Sequence, residues 1–131
     1  MQITIQSSSK QIYSTNKADY IQLPGIDGYI GILPGHEPLI TTLDIGEVIV
    51  RENGTEKSIA INGGFAQITG KNVYILADEA HLASNKVDEE IEEAIKRAEE
   101  KLKGDLEPSE LIQLEKQIKY NKLRKKLNSS M

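Results

Sequence analysis

The sequence predicts a two-part chain: an N-terminal all-β antiparallel sandwich over residues 1–84, followed by a C-terminal antiparallel α-helical hairpin over residues 85–131. Three observations predict it. Residues 1–84 hold nine of the ten glycines, three of the four prolines and the only phenylalanine, a composition that punctuates short strands. Residues 85–131 hold one glycine, Gly104, and one proline, Pro108, with charges crowded among Leu, Ile and Ala, a composition that builds helices. The hydrophobic period changes at the same place, from two to the spacing of a helix.

The strands come first. Ile3 and Ile5 alternate with Gln2, Thr4 and Gln6. Val48 and Val50 share one face while Ile49 takes the other, and Ile59 and Ile61 alternate with Ser58 and Ala60. Asn53-Gly54 between those runs suits a type I′ hairpin, because both central residues tolerate positive φ. A second hairpin is expected to turn at Gly70-Lys71-Asn72, joining residues 65–69 to 73–77. Many short strands with such turns, and no helical period between them, predict an antiparallel sandwich or barrel.

Helices follow. Ile91, Ala94, Ile95, Ala98 and Leu102 fall at helical spacings on one face. Asn85 or Asp88 is the expected N-cap, Asp88, Glu89, Glu90, Glu92 and Glu93 favour the positive end of the dipole, and Lys101 and Lys103 sit at the other end. Gly104 is expected to supply the stop. Pro108 suits the first turn of a second helix running to about Leu127, and the short connection predicts an antiparallel pair.

The second helix carries two apolar stripes. Leu111, Leu114 and Ile118 cluster on one side, and Ile112, Tyr120, Leu123 and Leu127 roughly opposite, so it needs two surfaces. Residues 88–115 hold eleven acids and four bases, whereas Lys116, Lys119, Lys122, Arg124, Lys125 and Lys126 follow with no acid among them. That patch either meets the acidic face of the first helix or docks on an acidic partner surface. Burying a Leu or Ile gives roughly 1.5–3 kcal/mol, against about 1–2 kcal/mol of backbone entropy per ordered residue. So small a pair depends on docking, which suits it to switching.

Composition sets the outer bounds. A chain of 131 residues is one domain, or one small domain with an appendage. A formal charge of −4 argues against a dedicated nucleic-acid binder. The absence of cysteine excludes disulfide staples, thiol catalysis and sulfur-ligated zinc. No apolar run has transmembrane length, and MQITIQSSSK lacks the order of a secretory signal, so the expectation is a soluble, intracellular protein with no direct membrane insertion.

Chemistry is sparse. His36 and His81 are the only histidines, and no metalloprotease, nucleophile-elbow or P-loop spacing occurs. Gly25, Gly28 and Gly31 miss the dinucleotide fingerprint. Asp78-Glu79 beside His81 is a weak metal pattern. The expectation is no catalytic residue, no cofactor and no metal: a binding or regulatory subunit.

Gly28-Tyr29-Ile30-Gly31-Ile32-Leu33-Pro34-Gly35-His36-Glu37-Pro38-Leu39 resembles the G-x-x-G-x-x-P-G-H-x-P-L signature of the epsilon subunit of F-type ATP synthases. Leu43 to Gly46, Asn62-Gly63-Gly64-Phe65 and Leu76-Ala77-Asp78 follow in the family's order. The resemblance covers the whole chain. It implies a non-catalytic subunit of the rotating central stalk, whose sandwich packs on the gamma subunit and stands on the membrane c-ring. The enzyme it serves couples proton, sometimes sodium, flow to ATP synthesis. The resemblance also implies that the hairpin restrains ATP hydrolysis when its second helix extends toward an acidic loop of the alpha/beta catalytic head.

Residue by residue, it implies a gamma interface at Pro34, Gly35, His36 and Pro38, and a c-ring-facing loop at the Gly28-Tyr29-Ile30 turn. Many members carry an acid at the position of Tyr29, and a tyrosine offers a drier contact with one polar tip. Lys116, Lys119, Lys122, Arg124, Lys125 and Lys126 become the regulatory charge patch. Some bacterial members bind ATP through an (I/L)-D-x-x-R-A motif. Here Val87-Asp88-Glu89-Glu90-Ile91-Glu92 keeps the aspartate, places Ile91 and Glu92 where arginine and alanine belong, and Leu82 stands where an upstream acid belongs. Asp88 and Arg124 are the remaining ATP candidates, and weak or no binding is expected. The implied location is peripheral, on the cytoplasmic face of a bacterial plasma membrane or the stromal face of a plastid thylakoid. The alternative is a freestanding β-sandwich adaptor that binds acidic partners through its basic C-terminal helix. Against a membrane-binding version stand the opposed apolar stripes of that helix.

Overall fold

The computed structural model describes residues 1–8, 10–84 and 88–130. The chain divides into two compact units, Met1–Leu82 and Ala83–Met131.

The first unit is all β: β1 (Gln2–Ser7), β2 (Lys10–Thr15), β3 (Tyr20–Gly25), β4 (Gly28–Ile32), β5 (Leu39–Glu52), β6 (Thr55–Thr69), β7 (Asn72–Ala77) and β8 (Ala80–Leu82). The strands order as β2-β1-β7-β6-β5-β3-β4, with β8 on β6. Every pairing is antiparallel except β1 with β7, which is parallel. Short hairpin turns impose antiparallel neighbours, but β1 and β7 meet only after the chain has passed through all the strands between them. Period-two reading carried no signal for that pair.

One core collects buried side chains from seven of the eight strands, including Ile3, Ile5, Ile21, Leu23, Ile32, Val48, Val50, Ile59, Ile61 and Ile75, all fully buried. The alternation read for β1, β5 and β6 accounts for Ile3, Ile5, Val48, Val50, Ile59 and Ile61, with one exception on those strands. Ala60 is also buried, because β8 lies against it with His81 opposite in register.

The two long strands change face part-way. On β6 the buried positions are Ile59 and Ile61, then Ala66 and Ile68. On β5 they are Leu43, then Val48 and Val50. Each set slips by one residue in phase, and the slip falls at Asn62-Gly63-Gly64 on β6 and opposite it, between Leu43 and Gly46, on β5. Gly63 and Gly64 have φ of 73° and 129°, so the backbone turns a corner there that a side chain would oppose. A Cβ on Gly64 would stand 2.2 Å from the Leu76 carbonyl oxygen. Beyond the corner β6 exchanges β8 for β7 as its neighbour.

Asn53 and Gly54, with φ of 48° and 79°, form the predicted primed turn between β5 and β6. The second hairpin turns on Gly70 and Lys71 alone. Asn72 pairs with Thr69 and is the first residue of β7, one residue earlier than the sequence suggested.

The second unit holds α1 (Glu89–Lys101) and α2 (Pro108–Ser129). Asp88 caps α1, its Oδ1 accepting from the Glu90 N–H at 3.0 Å; the alternative cap, Asn85, lies outside the described residues. Ile91, Ile95 and Ala98 are buried on α1, while Ala94 and Leu102 are half-buried. Gly104 does not stop α1 as expected. It lacks positive φ, and the helix closes through short bonds from Lys103 to Glu100 and from Gly104 to Lys101, each 3.1 Å. Pro108 stands in the first turn of α2, as its missing N–H favours. Tyr120 and Leu127 are buried on α2, whereas Leu111 and Ile112 remain exposed. The Ser84 N–H donates to the Asn128 side chain at 3.0 Å, so the start of this unit meets the end of α2 and the two helices run antiparallel.

Candidate functional site

Residues 33–38 link β4 to β5. The His36 N–H donates to the Leu33 carbonyl at 3.1 Å, closing a turn with Pro34 and Gly35 at its centre. Pro followed by a glycine at φ 85° is the type II pattern. The Gly35 N–H donates to the Gly70 carbonyl at 2.9 Å, which ties the loop to the β6–β7 turn. His36 is half-buried, with Nδ1 2.7 Å from the Glu37 carbonyl oxygen. A carbonyl only accepts, so Nδ1 carries the hydrogen, and in the neutral ring Nε2 is the acceptor. Pro34, Gly35 and Pro38 are exposed.

The turn expected at Gly28-Tyr29-Ile30 lies two residues earlier. Gly25 pairs with Gly28, so Ile26 and Asp27 form the tip, and Gly28, Tyr29 and Ile30 open β4. Tyr29 is 59% exposed, and its hydroxyl accepts from the Glu47 N–H at 3.5 Å. That places the ring across β5 near Gly46, where the nearest atom to an added Cβ would be Pro24 Cβ at 2.5 Å. The tip and the start of β5 surround an open depression of about 370 Å³, lined by residues 25–30 and 40–42. The 33–38 loop does not line it. Ile26 and Ile40, 61% and 72% exposed, form its apolar rim with Tyr29. Neither isoleucine was singled out from the sequence: Ile26 sits at a turn tip, and Ile40 in a strand, where an apolar residue reads as core. The one available signal was the buried phase of β5, which points Leu43 inward and leaves Ile40 on the other side.

The α2 cations divide in two. Lys125 Nζ lies 3.0 Å from Glu92 Oε1, and an Arg124 guanidinium nitrogen lies 3.6 Å from Asp88 Oδ2. The Lys125 hydrogen bond, followed by its charge, holds the Glu92 carboxyl below the usual range. Lys116, Lys119, Lys122 and Lys126 are exposed and make no ion pair among the described residues. The two ATP candidates therefore meet, but each engages the other, and Asp88 also caps α1.

Elsewhere the titratable groups serve the fold. Burial, then the hydrogen bond and charge of Glu52, push the Tyr13 phenol up to about 12. The hydroxyl donates to Glu52 at 2.7 Å. Glu52 is in turn held low, chiefly by Thr15 and then by Tyr13. His81 Nδ1 lies 3.8 Å from Glu79 Oε2, while Asp78 turns toward Gly63 at the β6 corner. Among the described residues no three metal-ligating side chains converge, and no helix is long and apolar enough to cross a membrane.

Residues 1–83 match the family model of the ATP synthase delta/epsilon chain β-sandwich domain. The ATP synthase epsilon chain of Synechococcus sp. strain CC9605 is 39% identical over 114 residues, covering 86% of this chain and 84% of that one. The chloroplastic ATP synthase epsilon chain of Nephroselmis olivacea is 41% identical over 93 residues, covering 71% of this chain and 70% of its own. A chain of the Euglena gracilis mitochondrial ATP synthase, solved as OSCP/F1/c-ring in rotational state 1, shares the fold. It has a TM-score of 0.75 at 24% identity, with 95% of this chain and 78% of that one covered.

Proposed function

The chain belongs to the family of ATP synthase delta/epsilon chains, and on that premise we propose that it is a non-catalytic epsilon subunit of the central stalk. In this reading it couples the catalytic head and gamma to the membrane c-ring during proton-driven ATP synthesis. Residues 1–84 form the coupling platform and residues 85–131 a regulatory hairpin that restrains ATP hydrolysis.

The observation that carries the reading is the apolar rim of Ile26, Tyr29 and Ile40 at one end of the sandwich, three large side chains left exposed around one depression. Large exposed apolar side chains gathered around one depression mark a docking surface. We assign this end to the c-ring, with Gly28, Tyr29 and Ile30 at its centre. The 33–38 loop, with Pro34, Gly35, His36 and Pro38, is assigned to gamma; there the Nε2 of His36 accepts a hydrogen bond from a donor on the partner. Lys116, Lys119, Lys122 and Lys126, with Arg124 and Lys125 once released from α1, are assigned to an acidic surface of the alpha/beta head in an extended state. The subunit then sits peripherally, at the cytoplasmic face of a bacterial membrane or the stromal face of a thylakoid.

The test is ATPase turnover of a cognate alpha-beta-gamma head, titrated with the full chain and with a chain ending at Ser84. Binding by both with inhibition by the full chain alone supports both parts. Equal binding without inhibition retires the brake and keeps the platform. Binding by neither sinks the stalk assignment in favour of an adaptor with a basic helix.

A further inference from the structure

We propose that Asn53 is a site of spontaneous deamidation, where the Gly54 amide nitrogen is the nucleophile and water the second reactant. Asn53 and Gly54 are the two exposed residues of the β5–β6 turn. Glu52 pairs with Thr55 across it, so the ladder closes on the flanking residues. Gly54 donates no hydrogen bond among the described residues. A Cβ placed on Gly54 would meet nothing within 4 Å, so the approach to its nitrogen is open.

The step balances without any redox partner. The deprotonated Gly54 nitrogen attacks Cγ of Asn53, forming a new N–Cγ bond and a five-membered imide. The Cγ–Nδ2 bond breaks and ammonia leaves with the proton. Water then opens the imide at one of its two carbonyls. Opening at Cγ gives aspartate; opening at the backbone carbonyl gives isoaspartate, with the main chain rerouted through Cγ. The net change is one water consumed and one ammonia released.

The two products differ in what they do to the turn. Aspartate tolerates the φ of 48° as asparagine does, so the hairpin persists with one more negative charge, next to Glu52. Isoaspartate adds a main-chain carbon to a two-residue loop, whose length fixes the pairing of Glu52 with Thr55. That product loosens the end of the two longest strands.

The chain contains its own control. Asn62-Gly63 has the same chemistry but sits half-buried inside β6. The Asn62 N–H donates to the Glu79 carbonyl at 2.8 Å, and the Gly63 carbonyl accepts from Asp78 at 3.3 Å. A Cβ at Gly63 would lie 3.1 Å from Asp78 Oδ2, so a carboxylate stands beside the place where an anionic nitrogen would form. Backbone pinning and like charge both oppose ring closure there.

Trypsin separates the two sites, cutting after Arg51, Lys57 and Lys71. Residues 52–57 carry Asn53, and residues 58–71 carry Asn62. The full chain is incubated in mildly alkaline heavy-oxygen water, native or in urea, then digested and weighed. An Asn53→Asp chain marks where the aspartate form of the first peptide elutes. The expected result is conversion of the native 52–57 peptide several-fold faster than 58–71, with heavy oxygen incorporated and an isoaspartate peak beside the aspartate standard. In urea the two peptides convert at similar rates. Native 58–71 converting as fast as 52–57 overturns the proposal. So does a native 52–57 peptide that stays unchanged while its urea counterpart converts.

Discussion

The Asp88 carboxylate does two jobs with its two oxygens: Oδ1 caps the start of α1, and Oδ2 lies 3.6 Å from the Arg124 guanidinium on α2. One side chain thus closes a helix end and links it to the last turns of the other helix. Asparagine keeps the first role and loses the second; alanine loses both. Asp88→Asn should therefore leave the Glu90 amide protected from hydrogen exchange, whereas Asp88→Ala exposes it, at a cost of about 1 kcal/mol for the cap. Equal exchange in the two variants would show that the cap carries nothing.

The same contact bears on nucleotide. With Arg124 held by Asp88 and Lys125 held by Glu92 one turn further along α1, an anionic phosphate meets two cations that are each already engaged by an acid. Titration of the isolated chain with ATP should give little or no heat. A micromolar affinity would overturn that expectation, and Arg124→Ala would then tell whether this cation is the ligand.

Acid should loosen the hairpin. The Glu92 carboxyl is held low by the hydrogen bond and charge of Lys125, with a smaller contribution from Lys96. A depressed folded pKa means that the contribution is fully present above the ordinary glutamate range and is lost as pH falls through the folded value. Exchange of α1 amides should quicken in that acid window. In Glu92→Gln the response should be flatter, and an unchanged pH profile in that variant would assign the acid sensitivity elsewhere.

At the alkaline end the sandwich carries its own reporter. Tyr13, raised to about 12 by burial and by Glu52, stays protonated in the folded chain after an ordinary tyrosine has ionised. A raised folded pKa contributes stability below the unfolded value and loses it as pH rises through the folded one, so stability should fall between about pH 10 and 12. Ultraviolet titration compared with a Tyr13→Phe chain should assign a late ionisation to Tyr13. Glu52→Gln should bring that tyrosine part of the way back.

Gly64 should be among the least replaceable residues of the β unit. An alanine there would put Cβ 2.2 Å from the Leu76 carbonyl oxygen, in a backbone with φ of 129°. Gly54→Ala carries the same kind of backbone strain in open space, at a cost of about 1–3 kcal/mol. Gly64→Ala should cost more, because the clash with β7 backbone adds to it. Chemical denaturation of the two variants measures the difference, and equal midpoints would argue against a rigid corner.

That corner marks where reading the sequence succeeds and fails. Alternation located β1, both valines of β5 and Ile59 and Ile61 of β6, because a half-buried strand must alternate. It treated the two halves of β6 as separate runs, since the phase slip at Asn62-Gly63-Gly64 looks like a break. In the structure the strand continues and only its inward face changes. The parallel β1–β7 pair left no local trace, because register between distant strands is set by the closed core. The helix ends divide similarly: Asp88 acts through a bond from nearby backbone and Pro108 through the N–H it lacks, and both were legible, while the short-bonded end of α1 at Leu102 was not. At the candidate site the 33–38 loop was marked only by its resemblance to the family signature. Ile40 was missed because apolarity alone does not say which side of a sheet a residue faces, and Ile26 because an apolar residue at a turn tip carries no local sign of its exposure.

Those two isoleucines give the last prediction. Ile26, Tyr29 and Ile40 are more than half exposed, so replacing them removes little that the fold depends on. Ile40→Asp and Ile26→Asp should shift stability by only about 0.5 kcal/mol. If the rim is the docking face for the c-ring, the same changes place a desolvated charge at its centre and should uncouple ATP hydrolysis from ion pumping in reconstituted vesicles. Turnover of the detached head should stay the same. Full coupling with both variants would move the contact off this rim, whereas loss of coupling together with loss of folding would show that the rim supports the sandwich itself. Tyr29→Phe separates the ring from its tip: it keeps the apolar surface and removes only the contact with Glu47, so it should couple like the parent chain.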